Sequence, residues 1–189
     1  MIKRHEWQHI MKSFSLENLV FIDESGVQKN MTRLYGRIIG GERLREATTW
    51  GHWETTTIMS SIRLDGTITA MTLPGATDTS AFYVYVAKIL CPTLGKNDIV
   101  IMDNLSSHKG SEIRTAIEST GASLLFLPPY SPDYNPIEMM WSKIKTLLRK
   151  TKARTSSALN EAISTALATV TLSDIRSWFE ACGYVLIKS

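Results

Sequence analysis

The sequence predicts an α/β domain with a five-stranded mixed sheet flanked by helices, and three observations support this prediction. Three short apolar runs have the composition of strands that are covered on both faces. A strong hairpin signal joins two further strand-like runs in the first half of the chain. In the second half, strand-like and helix-like segments alternate, which is typical of parallel strands joined by right-handed crossovers. The 189-residue chain is long enough to bury the core of one such domain.

The N-terminal part contains one helical pattern and the first apolar run. Apolar side chains recur at helical spacing within residues 1–18, so we expect a linker or lead-in helix there. Residues 19–23 predict a buried strand. Residues 24–26, with the sequence Glu-Ser-Gly, are expected to turn the chain. Residues 27–54 predict strand ends and a loop.

A β-hairpin is predicted in the middle of the first half. Residues 55–64 and 67–73 are rich in Thr, Ile and Met, and the Asp65-Gly66 pair between them is a typical two-residue hairpin turn. Strands one to three therefore form an antiparallel meander.

The remaining elements follow from apolar periodicity and capping residues. We expect a helix at residues 79–90, a strand at 98–102, a helix at 109–119, a strand at 123–127, and helices at 135–150, 158–170 and 172–181.

Composition excludes several classes of protein. The cysteines Cys91 and Cys182 are far apart in sequence, which argues against a disulfide framework or a cysteine zinc site and favours a reducing cytoplasm. No stretch approaches the roughly 20 apolar residues that span a bilayer, and the N-terminus lacks the apolar core of a signal peptide. We therefore expect a cytoplasmic protein without a membrane partner.

Three acidic residues are the candidate functional groups. Asp23 and Asp103 each follow a run of apolar β-formers, and their strands can be neighbours in a mixed sheet. The carboxyl edge of an α/β sheet is where ligands bind. Glu138 lies at the start of the predicted helix 135–150. Three such carboxylates suggest magnesium chemistry on phosphates.

Glu138 also has a purely structural interpretation. Asn135 is a good N-cap and Pro136 suits the first helical position, so Glu138 can close a capping box. We expect instead that its side chain points at the two aspartates. Lys145 and Arg149 follow Glu138 along one helix face, so this helix can offer both a metal ligand and a basic track for phosphates.

A competing motif lies at the N-terminus. His5, Glu6 and His9 fit the H-E-x-x-H pattern of zinc hydrolases. The context is unfavourable, because no third ligand follows nearby and no apolar helix encloses the motif. Zinc hydrolysis is therefore retained only as an alternative that metal analysis would separate.

Three sequence blocks carry a family resemblance. They are VFIDESG at residues 20–26, IMDN at 101–104 followed by His108 and Lys109, and PYSPDYNPIE at 129–138 with Trp141 and Lys145. Together they resemble the DDE catalytic domain of the IS630/Tc1/mariner transposase superfamily, particularly its bacterial IS630 branch. The 34 residues between Asp103 and Glu138 match the short spacing of that superfamily.

The resemblance implies an RNase H-like fold over residues 19–184, with three antiparallel and two parallel strands. It also implies that Asp23, Asp103 and Glu138 are catalytic and hold two Mg²⁺ or Mn²⁺ ions. The implied reaction is cleavage of double-stranded DNA at insertion-sequence ends and strand transfer into a target, with TA as the target dinucleotide. DNA contacts are expected from His108, Lys109, Lys145 and Arg149.

The resemblance further implies a homo-oligomer on DNA in the bacterial nucleoid. Relatives carry N-terminal helix-turn-helix modules, and no segment of that size is present in this sequence, so a separate helix-turn-helix chain is an expected partner. Two alternatives remain open. One is a decayed or repurposed fragment that binds DNA or partner chains without autonomous activity, and the other is a different RNase H-like nuclease.

Overall fold

The computed structural model describes residues 3–36, 40, 45, 54–105 and 110–185. Its strands are β1 (Leu19–Gln28), β2 (Thr55–Arg63), β3 (Ile68–Pro74), β4 (Ile99–Met102) and β5 (Ser123–Phe126). Its α-helices are α1 (Arg4–Met11), α2 (Thr79–Tyr85), α3 (Ser111–Glu118), α4 (Ile137–Thr151), α5 (Ser156–Ala168) and α6 (Leu172–Ala181).

The described strands form one mixed sheet in the order β3-β2-β1-β4-β5. Strands β1, β2 and β3 pair antiparallel, whereas β4 and β5 run parallel to β1. The predicted sheet is therefore confirmed, including its meander and its two parallel strands. The Asp65-Gly66 turn is also confirmed, with Gly66 at φ +97° and the Asp65 carboxylate accepting from the backbone N–H of Thr67 at 2.8 Å.

Strand β1 is twice as long as predicted. The expected turn at residues 24–26 is wrong, because the chain continues as a strand and pairs Glu24 with Met59 and Gly26 with Thr57. The long strand β2 supplies backbone partners throughout this stretch, and this pairing overrides the local turn preference of Glu-Ser-Gly. A Cβ at position 26 would lie 3.2 Å from the Thr55 side chain, so glycine suits this crowded part of the ladder.

Alternating side chains on the central strands build two hydrophobic layers. Leu19 and Phe21 belong to the layer covered by α1, α4, α5 and α6. Val20 and Ile22 belong to the opposite layer, which α2 and α3 cover. Because the period of a strand is two residues, every odd-numbered side chain from Leu19 to Asp23 faces α4.

Helix α2 begins as predicted and ends differently. The Asp78 side chain accepts a hydrogen bond from the backbone N–H of Ala81 at 2.7 Å and caps the helix. The expected helix 79–90 changes after Tyr85 into a π-helical turn, Val86–Leu90. This wider turn keeps both Val86 and Leu90 fully buried under the sheet.

The closing helical pair matches its prediction closely. Thr155 caps α5 by accepting from the backbone N–H of Ala158 at 3.1 Å. Thr171 and Asp174 form a capping box at the start of α6. Gly183, at φ +87°, follows α6 where the sequence predicted its end.

The N-terminal helix α1 is part of the core. The Trp7 side chain is fully buried, and its Nε1 donates a hydrogen bond to the Tyr184 hydroxyl at 3.0 Å. Met11 is buried beside it. The lead-in helix therefore ties the beginning of the domain to its last residues. Across the described ranges, no helix combines the length and apolar character needed to cross a membrane.

We expect Trp7→Ala to lower the free energy of unfolding by about 3–5 kcal/mol, because it empties a buried aromatic site and removes the partner of Tyr184. Gln8→Ala, at an exposed position of the same helix, should change it by less than about 0.5 kcal/mol. Urea denaturation followed by far-ultraviolet circular dichroism measures both values. Equal stability of the two variants would contradict the assignment of α1 to the core.

Candidate active site

The three predicted carboxylates line one cavity of about 650 Å³. Asp23 comes from β1, Asp103 from the end of β4, and Glu138 from the first turn of α4. Asp23 and Glu138, which are more than a hundred positions apart in sequence, therefore line the same cavity as Asp103. The structure thus brings together the set that the sequence singled out.

The sheet explains why the two aspartates meet. Strands β1 and β4 are parallel with Leu19 opposite Ile99 and Phe21 opposite Ile101. Continuing this register by two residues, one beyond the end of β4, brings Asp103 to the level of Asp23, and both residues line the cavity. We expected Asp23 to end its strand. It lies instead in the middle of β1, at the level where β4 ends.

Asp23 is buried, with 8% of its surface exposed. Burial raises the pKa of Asp23 to about 7, and the negative charges of Glu138 and Asp103 add to this rise. Hydrogen bonds from the Glu24 backbone and from Trp141 oppose it. A buried carboxylate near two others is costly in the absence of a cation, and perturbed groups of this kind cluster at functional sites.

Trp141 holds Asp23 in place. Its Nε1 donates to the Asp23 Oδ2 at 3.0 Å within the buried interface of α4 and the sheet. Trp141 follows Glu138 by three positions, so one helix face supplies both the third carboxylate and the group that orients the first. From the sequence we named Trp141 only as part of the block that carries the family resemblance and gave it no contact with Asp23, although its place one turn after Glu138 was a usable signal.

Glu138 does not form the capping box that its sequence allowed. The Asn135 side chain gives no cap, and Pro136 occupies the position before the first helical residue. A 3₁₀ turn, Pro132–Tyr134, precedes α4, and the Glu138 backbone N–H donates a hydrogen bond to the Asn135 carbonyl at 3.1 Å. Backbone hydrogen bonds thus hold the start of α4. The Glu138 carboxylate is not used as a helix cap, and Glu138 lines the cavity.

The surroundings of Glu138 agree with this placement. Partial burial raises the pKa of Glu138, the cation of Lys145 opposes this rise, and the charge of Asp103 supports it. The expectation that Glu138 points toward the aspartates is therefore supported by its electrostatic neighbours.

Asp103 and Asn104 fix the end of β4. The Asp103 carboxylate accepts from the backbone N–H of Leu105 at 3.1 Å, and the Asn104 amide donates to the carbonyl of Leu127. Sequence reasoning missed Asn104, because strict alternation placed it on the other face of the strand. Strand β4 ends at Met102, so alternation no longer constrains residue 104.

The carboxylates suit a hard divalent cation by chemistry, since oxygen ligands and negative charge are what Mg²⁺ and Mn²⁺ prefer. Within the described ranges, no three His, Cys, Asp or Glu side chains are grouped closely enough to enclose a metal ion. Asp23 and Asp103 are engaged by Trp141 and by the backbone of Leu105 instead. The number of ions remains a prediction.

The predicted basic residues divide into two groups. Lys145 and Arg149 are half-buried on α4 and line a second cavity of about 500 Å³ beside the end of β1. Lys145 is close enough to Glu138 to affect its charge, so the basic track begins at the carboxylates. His108 and Lys109 lie outside the described residues.

The zinc motif on α1 finds no support. His5, Glu6 and His9 are exposed, and the Glu6 carboxylate accepts from the backbone N–H of Lys3 at 3.0 Å as a helix cap. The described part of the chain contains no third metal ligand grouped with them.

The loop before Glu138 is held from outside the cavity. The Arg4 guanidinium contacts both Asp133 carboxylate oxygens at 2.8 and 2.6 Å and the Ser131 hydroxyl at 2.9 Å. It also lies 4.7 Å from the centre of the Tyr134 ring. The Tyr184 hydroxyl donates to the Tyr134 carbonyl at 2.7 Å. Both ends of the domain therefore hold the segment that delivers Glu138.

Comparison with known proteins agrees with this architecture. The sequence model of the family described as DDE superfamily endonuclease matches residues 18–160. No curated protein matches the chain.

Three solved structures illustrate the likeness. The Mos1 transposase paired-end complex with left transposon end has a TM-score of 0.73 at 16% identity, covering 93% of this chain and 55% of that one. The catalytic domain of Mos1 mariner transposase has a TM-score of 0.65 at 16% identity, covering 95% and 86%. The intasome of simian T-cell lymphotropic virus has a TM-score of 0.54 at 16% identity, covering 80% and 49%.

These likenesses show the fold, which is RNase H-like, as the sequence resemblance implied. The chain spans 55–58% of the length of the Mos1 transposase chains in two structures described as paired-end complexes.

The electrostatics of Asp23 predict a pH-dependent stability. Its folded-state pKa, about 7, exceeds the ordinary value of 3.8, so the folded protein holds this proton more tightly than the unfolded chain. In metal-free buffer, wild-type stability should therefore fall between pH 4 and pH 8, by up to about 4 kcal/mol from this group. Asp23→Asn keeps an acceptor for Trp141 and should be more stable than wild type at pH 8.

Denaturant unfolding at several pH values, with a chelator present, measures this difference. Glu112→Gln, an exposed change on α3, serves as the control and should follow the wild-type curve. Parallel curves for wild type and Asp23→Asn would contradict the placement of a strained carboxylate in this cavity.

Proposed function

Because the chain belongs to the DDE superfamily endonuclease family, we propose that it is the catalytic domain of a transposase of the Tc1/mariner type, within the IS630 branch. Its reaction is cleavage of DNA strands at insertion-sequence ends and transfer of the freed ends into target DNA. The observation that carries this proposal is the meeting of Asp23, Asp103 and Glu138 in one cavity of an RNase H-like fold.

Asp23, Asp103 and Glu138 would hold the divalent cations. Mos1 structures are described as paired-end complexes with Mn and with Mg, and the all-oxygen donor set here is suited to the same ions. When bound there, such cations would supply activation of the attacking oxygen and stabilisation of the leaving oxygen in phosphoryl transfer. The chain's own contribution is to orient the ligands, with Trp141 fixing Asp23 and the Asn104 amide fixing the end of β4.

The α4 helix supplies the next requirement, which is contact with the DNA backbone. Lys145 and Arg149 lie along the helix from Glu138, so a strand whose phosphate enters the carboxylate cavity can continue along them. Contacts of this kind position the duplex and carry no sequence information. Sequence recognition of the ends then requires other groups, for which a helix-turn-helix chain is the proposed partner.

The proposed partners are double-stranded DNA from transposon ends and from the target, with TA as the target dinucleotide, and a second copy of this chain. The Mos1 structures are described as paired-end and strand transfer complexes, and we propose an equivalent assembly here. The place of action is then the DNA of the cell, which for a bacterial element is the nucleoid.

A second candidate is a fragment that binds DNA without autonomous activity, for which the basic residues Lys145 and Arg149 on α4 would suffice. DNA cleavage by the chain alone separates this candidate from the first.

We expect Asp23→Asn, Asp103→Asn and Glu138→Gln each to abolish nicking of supercoiled plasmid in Mg²⁺ or Mn²⁺, because a neutral amide is a weaker ligand for a hard cation than a carboxylate. Gel electrophoresis of the plasmid measures the loss, and circular dichroism checks the fold. Glu112→Gln should nick like wild type. Any of the three variants that retains wild-type activity removes its residue from the catalytic set.

We expect DNA affinity to fall steeply with salt concentration, because lysine and arginine contacts to phosphates release counterions. Lys145→Ala and Arg149→Ala should each reduce the slope of log K against log salt by about 1. Fluorescence anisotropy of labelled duplex over a salt series measures this slope. Lys88→Ala, an exposed lysine on the opposite layer of the fold, should leave the slope unchanged, and a flat wild-type response would refute the basic track.

A further inference from the structure

The cavity that holds the three carboxylates has an apolar wall that phosphate chemistry does not require. Leu105, Pro129 and Tyr130 contribute this wall. Leu105 is 47% exposed and Tyr130 is 98% exposed, so both are open to a ligand. A phosphate needs cations and hydrogen-bond donors, whereas an apolar wall fits the face of a planar ring.

Tyr130 is presented by a fixed backbone. It has φ +53°, a conformation that residues other than glycine rarely adopt and that is kept where the surroundings enforce it. The adjacent Ser131 hydroxyl donates to the Pro129 carbonyl at 3.1 Å and accepts from Arg4 at 2.9 Å. A fully exposed aromatic ring on a well-held loop gains nothing for stability, so its presentation points to a ligand.

Asn135 provides a second, independent observation in the same cavity, which is a buried amide oxygen without a hydrogen-bond partner among the described residues. It lines the cavity, only 3% of its surface is exposed, and its Oδ1 has no hydrogen-bond partner in the part of the chain that the structure describes. Buried amide oxygens are nearly always hydrogen-bonded, because leaving one unpaired costs free energy. Because this oxygen is itself buried, it reaches a donor on a ligand once the Asn135 amide turns toward the cavity that the residue lines.

We propose that the apolar wall and Asn135 form a nucleobase subsite next to the carboxylates, which takes one unstacked base of the bound DNA strand. Tyr130 stacks on the face of the base, and Asn135 accepts a hydrogen bond from its edge. This inference rests on the proposed function, because DNA brings the base to the cavity. It goes further in giving the catalytic cavity a contact with a base as well as with phosphate.

The two kinds of contact have different roles. Stacking on an aromatic side chain is available to every base and holds the strand regardless of sequence. An amide acceptor favours a base that presents an amino group at the contact, which gives a modest preference. A base held in this way would fix the position of the neighbouring phosphate relative to the carboxylates.

Binding of single-stranded oligonucleotides in Ca²⁺ buffer tests the subsite. One position at a time is replaced by an abasic residue, and affinity is measured by anisotropy. For wild type, removal of the base at one position should weaken binding about tenfold, and Tyr130→Phe should keep this penalty. For Tyr130→Ala the penalty should disappear. An oligonucleotide carrying 2-aminopurine at that position should be quenched by wild type and not by Tyr130→Ala.

Tyr83→Ala, on α2 in the opposite layer, is the matched control and should retain the abasic penalty. Asn135→Ala should lose the preference among bases while keeping the thermal stability of wild type, because the Oδ1 supports no hydrogen bond within the described residues. A large drop in stability with unchanged base preference would make Asn135 a structural residue and remove it from the subsite.

The outcomes separate this inference from the proposed function. A wild-type protein that nicks DNA but binds abasic and intact oligonucleotides equally overturns the subsite alone. A protein that shows the abasic penalty without metal-dependent nicking overturns the proposed reaction and keeps the subsite. Tyr130 is almost fully exposed, so its substitution tests binding rather than folding.

Discussion

The hydrogen bond from Trp141 to Asp23 joins helix α4 to the centre of the sheet, and the arrangement of the site depends on it. Trp141 belongs to the hydrophobic layer that packs α4 against β1 and β4. The same side chain therefore contributes apolar burial and orients a carboxylate. Because Glu138 lies one turn earlier on α4, any shift of this helix would move Glu138 relative to the two aspartates of the sheet and disturb the bond that orients Asp23. The packing of α4 on the sheet therefore also determines the geometry of the three carboxylates.

This coupling has an electrostatic cost. Asp23 is buried and its neighbours Glu138 and Asp103 carry the same charge, so the folded chain favours protonation at Asp23. Without a cation such a cluster costs stability, although Asp23 provides the acceptor for the buried Nε1–H of Trp141. We explain the three carboxylates by their function, because such a cluster attracts a divalent cation, and the cation in turn attracts a phosphate.

Much of this architecture could be predicted from local patterns, since buried strands and the Asp65-Gly66 turn each follow from a few adjacent residues. The meeting of Asp23 with Asp103 was predictable because parallel neighbours share an edge. The length of β1 was not, because its second half depends on pairing with β2, a non-local interaction. The role of Asn135 also escaped local reasoning, since the cap position it favours in sequence is overridden by the 3₁₀ turn before it.

The contacts of Arg4 and Tyr184 with the loop before Glu138 have a consequence for where this domain begins and ends. The family match runs from residue 18 to residue 160 and leaves out both contacting residues. Trp7 and Tyr184 are nevertheless buried together, and the Arg4 guanidinium donates hydrogen bonds to Asp133 and Ser131. A protein trimmed to the region of shared sequence would keep every carboxylate and lose the supports of the segment that aims one of them. The region recognised by sequence likeness is therefore smaller than the folded domain that holds the site in place.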